Sequence, residues 1–581
     1  MAERAQGKGS EVFSSPRLIC TTAQQQPAHA RRCNTYAHSG WHRTLQKCVY
    51  FILSCYAESM SFTPMSPRCV AYHPSSYIGS VLAAAMTTLT SCAPVDVSDP
   101  PSGSDLSAYL PASETSVLHL PSTNTVLAAY NDDSGAYDIV DVGGMKMVTS
   151  KAMQSLNGLS YSLDGGLSWT RHGPIPPASC GNNTCPTLLM GDPWLAATTD
   201  RVLYVSLAQV GANPSITAEP TAIALSTSLD GGLSWGTPTR AYWNGNALDK
   251  PSLSTSGNTA VVAFLSDFNQ AFNLFLLTSE NQGDTWASFP LHTPDDPLPT
   301  ITTKMNPIVQ LRSSTVGYVS YQLPNNGISN FGVRIVKMTR SGIGASWTAS
   351  PTLVYGDSVN IDLAPPAALN KTWRDWVPTS FDVGEGGNHL YLTYRRQIVS
   401  NGTTKSVVTL ADCVDNGPAA CTFSGNVLSA GWRIQTFQPT SAEGGMYQPN
   451  VTASKLPRPN DTLVALSWYQ QSSTDPANPK LEPHGVYSRN GGTGWGPVQD
   501  LNPATNPYAP CPIGNGSQGQ PGGYYGDYFG SAILPPIDFT PILGPGSAYF
   551  PWVVTVYASS TAGCFNLPGM TYDQHVQGVV W

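Results

Sequence analysis

From residue 113 onward the chain alternates short apolar runs with polar breaks rich in glycine and proline. The strongest runs are 125–130 (TVLAAY), 202–207 (VLYVSL), 260–265 (AVVAFL), 316–321 (VGYVSY), 389–394 (HLYLTY), 463–468 (LVALSW) and 552–557 (WVVTVY). A shorter run precedes each of them, at 117–119, 193–197, 251–254, 307–311, 379–383, 449–452 and 524–534. Runs of this length, rich in β-branched and aromatic residues and bounded by turn formers, predict strands. The paired runs recur along the chain, and such a repeat predicts stacked or radially arranged units rather than one continuous sheet.

Four units close with a common octapeptide. It reads SLDGGLSW at 162–169 and again at 228–235, SENQGDTW at 279–286 and SRNGGTGW at 488–495. A decayed copy, RSGIGASW, occupies 340–347, and a closing Trp without a copy stands at Trp432. Asp or Asn at the third position suits a side chain that accepts from turn amides. The glycines supply positive φ, and the final Trp buries a large ring while its indole N–H finds a partner. The pattern resembles the Asp box, the S-x-D-x-G-x-T-W repeat of sialidases and related β-propellers. That resemblance implies a structural turn far from any reaction centre, with Asp164, Trp169, Asp230, Trp235, Asn281, Trp286, Asn490 and Trp495 as its members. The expected fold is all-β: a β-propeller of four-stranded blades over 113–581. Seven inner-strand starts suggest seven blades, and six, the number in true sialidases, is the alternative. The last unit is one strand short, and residues 106–110 on the N-terminal side are expected to supply it.

Composition agrees with such a chain. Gly 53 and Pro 49 give frequent punctuation, hydrophobic residues at 41% allow a core, and charged residues are only 11%. With a net charge of −8 and no basic stripe, a nucleic-acid partner is excluded. Residues 1–64 show no clear period and read as an upstream extension outside the fold. Residues 65–92 resemble a bacterial lipoprotein signal: Arg68 in a positive start, an apolar run at 77–89 (YIGSVLAAAMTTL), and LTSC ending at Cys92. That resemblance implies lipidation of Cys92, export, and an outer-membrane or surface anchor, the membrane being touched only through the lipid. Residues 93–112, rich in Pro, Ser and Asp, read as a tether. Six cysteines follow Cys92, an even number suited to an oxidising compartment. Cys180 with Cys185 makes a tight loop, Cys413 with Cys421 closes a hairpin, and Cys511 with Cys564 pairs by elimination. With no CxxC and no histidine cluster, no metal is expected, and no motif calls for a cofactor.

A second signature marks the strand starts: Asp192-Pro193, Asp249-Lys250-Pro251, Asn306-Pro307, Gln448-Pro449 and Asp527-Tyr528. Proline at the first residue of a strand is explained by backbone alone; the polar residue before it is not. In a propeller the innermost strands line a central channel, so Asp192, Asp249, Lys250, Asn306, Gln448 and Asp527 are expected to converge on one mouth of it as a ligand site. Tyr524, Tyr525, Tyr528 and Trp376 would add ring faces for a sugar. Glycan or a surface protein is the expected partner. The alternative, implied by the resemblance, is exo-acting sialidase-type hydrolysis, which uses a Tyr nucleophile and three arginines on the substrate carboxylate. Asp192, Arg395, Arg396 and Tyr528 are the candidates for such chemistry. Arg201, Arg334 and Arg433 serve equally well in strands or at the surface.

Overall fold

The computed structural model describes residues 94–98 and most of 112–581, the longest omissions being 361–378, 423–430, 503–511, 514–521 and 538–549. The expected extension (1–64), the signal segment (65–92) with Cys92, and most of the tether therefore lie outside the described residues. So do Cys180, Trp376, Cys511, Tyr524, Tyr525, Asp527 and Tyr528.

The described chain is a seven-bladed propeller of four-stranded antiparallel sheets. Blade one holds Ala112–Leu120, Thr125–Asp132, Asn157–Ser162 and Thr170–Pro174. Blade three holds Leu248–Ser256, Thr259–Phe268, Ala271–Ser279 and Ala287–Pro290. Blade four holds Met305–Ser313, Val316–Asn325, Asn330–Thr339 and Thr348–Asn360. Blade five holds Thr379–Val383, His389–Ser400, Thr403–Val414 and Arg433–Phe437, and blade six Met446–Ala453, Val464–Ser473, Lys480–Ser488 and Gln499–Asp500. Blade two is irregular at its inner edge. Both Pro186–Leu189 and Trp194–Ala197 pair with Val202–Val210, followed by Ala222–Ser228 and Thr239–Trp243. Blade one also carries an insertion between its second and third strands, a hairpin of Tyr137–Val142 with Met145–Ser150.

Blade seven closes the ring. Its strands Gly530–Ile537, Phe550–Leu567 and Met570–Val580 are completed by Val95–Asp96, which pairs antiparallel with Met570–Val580 through Val95↔Gly578 and Asp96↔Gln577. The closing strand thus comes from the N-terminal side, as expected, but from Val95–Asp96 rather than 106–110. This also places the first residues of the expected tether inside the sheet, with Val97 buried against blade one. A strand of two residues carries no periodicity, so the pattern could not reveal it.

The core is distributed as seven apolar clusters, each at a junction between neighbouring blades. Leu127, Ala129, Tyr204 and Ala224 join blades one and two, while Val126, Tyr130, Val554 and Val580 join blades one and seven. A linear stack of seven units would have six junctions; the seventh is what makes a ring and leaves few open strand edges.

The octapeptides are turns between third and fourth strands. In the first, the Gly166 amide donates to Ser162 Oγ at 2.7 Å, and the Ser168 amide and hydroxyl donate to the Asp164 carboxylate at 2.8 and 2.5 Å. Trp169 Nε1 donates to the Gly166 carbonyl at 3.1 Å. The copy at 228–235 repeats every one of these bonds, and Asn281 and Asn490 accept from the seventh-position amides in theirs. Each turn also wedges against the preceding blade. Gly232 sits at φ +91° with Leu127 of blade one so close that a Cβ would come within 2.6 Å of it. We expect Asp164→Ala to cost about 1–2 kcal/mol through lost turn hydrogen bonds, read as a lowered thermal midpoint with ligand binding unchanged.

The disulfide Cys413–Cys421 is present as expected, and Cys185 is also disulfide-bonded. The expected pairing of Cys511 with Cys564 falls outside the described residues.

Candidate functional site

In each blade the inner strand starts at one end of the channel and runs toward the end that carries the octapeptide turns. In blade three, for instance, Asp249 pairs with Leu265 at one end, whereas Ser256 pairs with Thr259, next to the turn after Ser279, at the other. The polar strand starts and the octapeptides therefore occupy opposite faces, here called the mouth face and the turn face.

At the mouth face five blades share one backbone device. Glu114, Asp192, Lys250, Asn306 and Gln448 all have left-handed φ, between +46° and +51°. Four of the five inner strands break register at this point, between Ser113 and Ser116, Asp249 and Ser252, Met305 and Ile308, and Tyr447 and Asn450. In blade two the same residue separates the two inner-edge strands. Such bulges re-aim a side chain and are common beside binding sites. A non-glycine residue in this region costs on the order of 1 kcal/mol, so five in register mark a position held by its surroundings.

The surroundings are specific. Asn131, on the second strand of blade one, donates through Nδ2 to Glu114 Oε2 at 2.7 Å and accepts through Oδ1 from the Asp192 amide at 2.8 Å. The adjacent Gly191 amide donates to Asn157 Oδ1 at 2.7 Å. Gly191 has φ +91°, and a Cβ there would meet Asn131 Oδ1 at 2.7 Å. Asn131 thus sets both carboxylates at once. Lys250 Nζ lies between them, 3.5 Å from Glu114 Oε1 and 3.2 Å from Asp192 Oδ2. By those two distances the paired oxygens are at most about 6.7 Å apart. Glu114 and Asp192 are buried and Lys250 nearly so, so each charge is held where it is poorly screened. Asp192 Oδ2 is buried, yet among the described residues it takes no hydrogen bond apart from this ion pair.

Beneath the ring lies the channel, a cavity of about 480 Å³ reached by inner strands of all seven blades, with Lys250, Asn306 and the half-buried Trp194 among its lining. That volume suits a small ligand. The other expected residues are placed as follows. Asp249 Oδ1 accepts from the Lys250 amide at 2.9 Å, shaping its own turn. Asn306 Nδ2 donates to Gln322 Oε1 at 3.4 Å, and Gln448 is buried. Arg395 is buried with its guanidinium 5.3 Å from the Tyr447 ring centre, beside Gln448. Arg396 is not brought to the group; its Nη2 donates to Thr436 Oγ1 on the outer strand of blade five at 3.2 Å. Arg201 and Arg433 are on the turn face, paired with Asp284 and Asp412. Arg334 is paired with Asp295.

The chain matches no family model and no curated protein. Among solved structures it is similar to an α-L-arabinanase of Penicillium chrysogenum complexed with arabinobiose, at a TM-score of 0.39 and 12% identity over 85% of this chain and 98% of that one. It is also similar to an α-L-arabinofuranosidase of Fusarium graminearum complexed with an iminosugar inhibitor, at a TM-score of 0.38 and 12% identity over 84% and 98%. A protein of unknown function from Dyadobacter fermentans gives a TM-score of 0.37 and 12% identity over 84% and 98%.

Farther out on the mouth face, between blades four and five, Tyr394 donates to Asp357 Oδ2 at 2.7 Å and shares a 2.8 Å hydrogen bond with Tyr355. Burial first, and then the neighbouring Tyr355 and Asp357, push the Tyr394 hydroxyl well above its ordinary value. Tyr321, which donates to Asp295 Oδ2 at 2.6 Å, is pushed up by burial and by that carboxylate. These phenols stay protonated and act as donors. Among the described residues no group of His, Cys, Asp and Glu is placed to hold a metal.

Glu114, Asn131 and Trp194 were not among the expected site residues. Glu114 is followed by Thr115 instead of Pro, so the strand-start signature is missing there. Trp194 directly follows Pro193 and was legible as a neighbour of that signature.

Proposed function

We propose that this is an exported, lipid-anchored protein that binds a glycan at the mouth of its channel. The observation that carries this reading is the Glu114–Lys250–Asp192 arrangement above the channel. Two buried carboxylates flank one ammonium group, one carboxylate oxygen retains acceptor capacity, and Lys250 and Trp194 both line the channel. Sugar hydroxyls donate to carboxylates and accept from ammonium groups, and a ring face covers the apolar side of a sugar. Fold alone would not support this assignment. The test is calorimetric titration of the whole chain with a panel of neutral and sialylated oligosaccharides. Binding lost in Asp192→Asn supports the site, and equal affinity in that variant removes it.

Hydrolysis is the second reading. It is favoured by the closeness of the two carboxylates, whose paired oxygens are at most about 6.7 Å apart, a bound that admits the roughly 5–5.5 Å spacing of retaining glycosidases. It predicts turnover of a glycoside that disappears in both Glu114→Gln and Asp192→Asn. Turnover of a fluorogenic sialoside in particular would favour the sialidase-type variant, which needs arginines on the substrate carboxylate. For the anchor, we expect labelling by radioactive palmitate to vanish in Cys92→Ser; labelling that persists contradicts it.

A further inference from the structure

The closing strand fixes where the anchored end leaves the propeller. Val95–Asp96 runs antiparallel to Met570–Val580, with Val95 opposite Gly578 and Asp96 opposite Gln577. The strand Met570–Val580 descends toward the turn face, because Val580 pairs with Val554 near the start of the second strand. Pro94, before Val95, therefore lies on the side of the turn face. Cys92 is three residues before Val95, a span of at most about 11 Å even when fully extended.

The turn face next to that exit is apolar at its tips. The second position of the octapeptide is Leu163 in blade one and Leu229 in blade two, exposed by 60% and 76%, and Leu233 in the second turn is 43% exposed. The blade-one turn packs directly on blade seven. A Cβ on Gly166 would meet Val554 and Val580, and Trp169 lies against Gly578, the partner of Val95. The blade-two turn packs in the same way on Leu120 and Leu127 of blade one. Exit, Leu163 and Leu229 thus follow one another around the rim. In blades three and six the same octapeptide position is charged. It is Glu280 in blade three, paired with Arg340, and Arg489 in blade six. Asp164 and Asp230, beside the leucines, are bound into their own turns.

We propose that the turn face of blades one and two is a membrane-contacting surface, occupied by the lipid layer that holds the anchor at Cys92, so that the mouth face points away from the membrane. This rests on the lipidated-Cys92 reading. An apolar contact at the headgroup boundary adds to the hold of an acyl anchor in proportion to the area it buries. Leucines at the tips of two turns beside the exit provide that contact at the depth of the headgroups. The orientation leaves the channel mouth open to ligands in solution or on a facing surface.

The experiment uses the full chain made in a bacterial host and reconstituted in vesicles of phosphatidylethanolamine and phosphatidylcholine, with brominated phosphatidylcholine as the quencher. A fluorescent amino acid is placed at position 229, or at position 399 in the hairpin of blade five on the mouth face, where Val399 is 75% exposed. Both sites are exposed, and thermal unfolding checks that each variant folds. The expected result is loss of emission at 229 and none at 399, with quenching at 229 reduced when Leu163→Ser is added. Equal quenching at both positions, or none at 229 in protein that sediments with the vesicles, overturns the orientation while leaving the anchor intact. Protein that does not sediment, or a Cys92→Ser chain that still does, overturns the anchor reading and the orientation with it.

Discussion

Replacing Lys304 by methionine is expected to destabilise the protein by about 3–5 kcal/mol, the cost of leaving one member of a buried ion pair without its partner. Lys304 Nζ is 2.5 Å from Asp296 Oδ1, and the two side chains are 0% and 1% exposed. Asp296 also accepts from the amides of Thr293 and Thr302 at 2.8 and 3.0 Å, while the ammonium donates to the Thr302 carbonyl at 3.1 Å. The pair links the exit from blade three to the start of blade four, two positions before Asn306 at the mouth face. Chemical denaturation is the measurement. The double replacement Lys304→Met with Asp296→Asn should recover much of the loss, because no buried charge then stands alone. The pair also carries a pH dependence. Burial alone would raise the Asp296 carboxyl, but the Lys304 hydrogen bond and the two amides more than offset it and hold it below its ordinary value of 3.8. A depressed carboxyl stabilises fully above the unfolded value and loses that contribution as pH falls through the folded one. The wild type should therefore lose this share of its stability below about pH 4, and the double variant should lose less over the same window.

Asp192→Asn is expected to weaken ligand binding by roughly tenfold to a hundredfold, the worth of one hydrogen bond to a charged group, with little change in stability. Asparagine tolerates left-handed φ as well as aspartate does, so the turn at φ +51° is kept. The Asn131 bond to the position-192 amide is also kept, since it involves backbone on one side. Glu114→Gln should act in the same direction. What both variants remove is half of the charge facing Lys250, so the affinity of the two single variants and of the pair together should not be additive.

Much of this architecture could be read from residues alone, for physical reasons that also explain the failures. The octapeptide announces itself because a turn that needs two positive-φ residues, an amide-binding side chain and a wedge-shaped Trp allows few alternatives. The ring of Asp192, Lys250, Asn306 and Gln448 was visible through the prolines that follow them, although the reason for the polar residue, a left-handed bulge, was not. Glu114 escaped because Thr115 takes the place of proline and instead uses its hydroxyl to donate to the Val556 carbonyl at 2.6 Å. Asn131 lies on a second strand, where it looks like any polar residue at a strand end; only the fold brings it between two blades. The hairpin of Tyr137–Val142 with Met145–Ser150 is an insertion that breaks the repeat, and the buried pair Lys304–Asp296 closes an irregular connection between blades three and four that has no counterpart in the other units' pattern. Long-range polar pairing leaves no period in the chain, and that is where inference from pattern stopped.

The most direct measurement crosses the two faces of the propeller. Oligosaccharide affinity and thermal midpoint are measured for Asp192→Asn at the mouth and for Asp164→Ala at the turns. The account predicts lost affinity with an unchanged midpoint for the first, and retained affinity with a lowered midpoint for the second. Affinity that survives Asp192→Asn, or that is lost in Asp164→Ala while the protein remains folded, would contradict it.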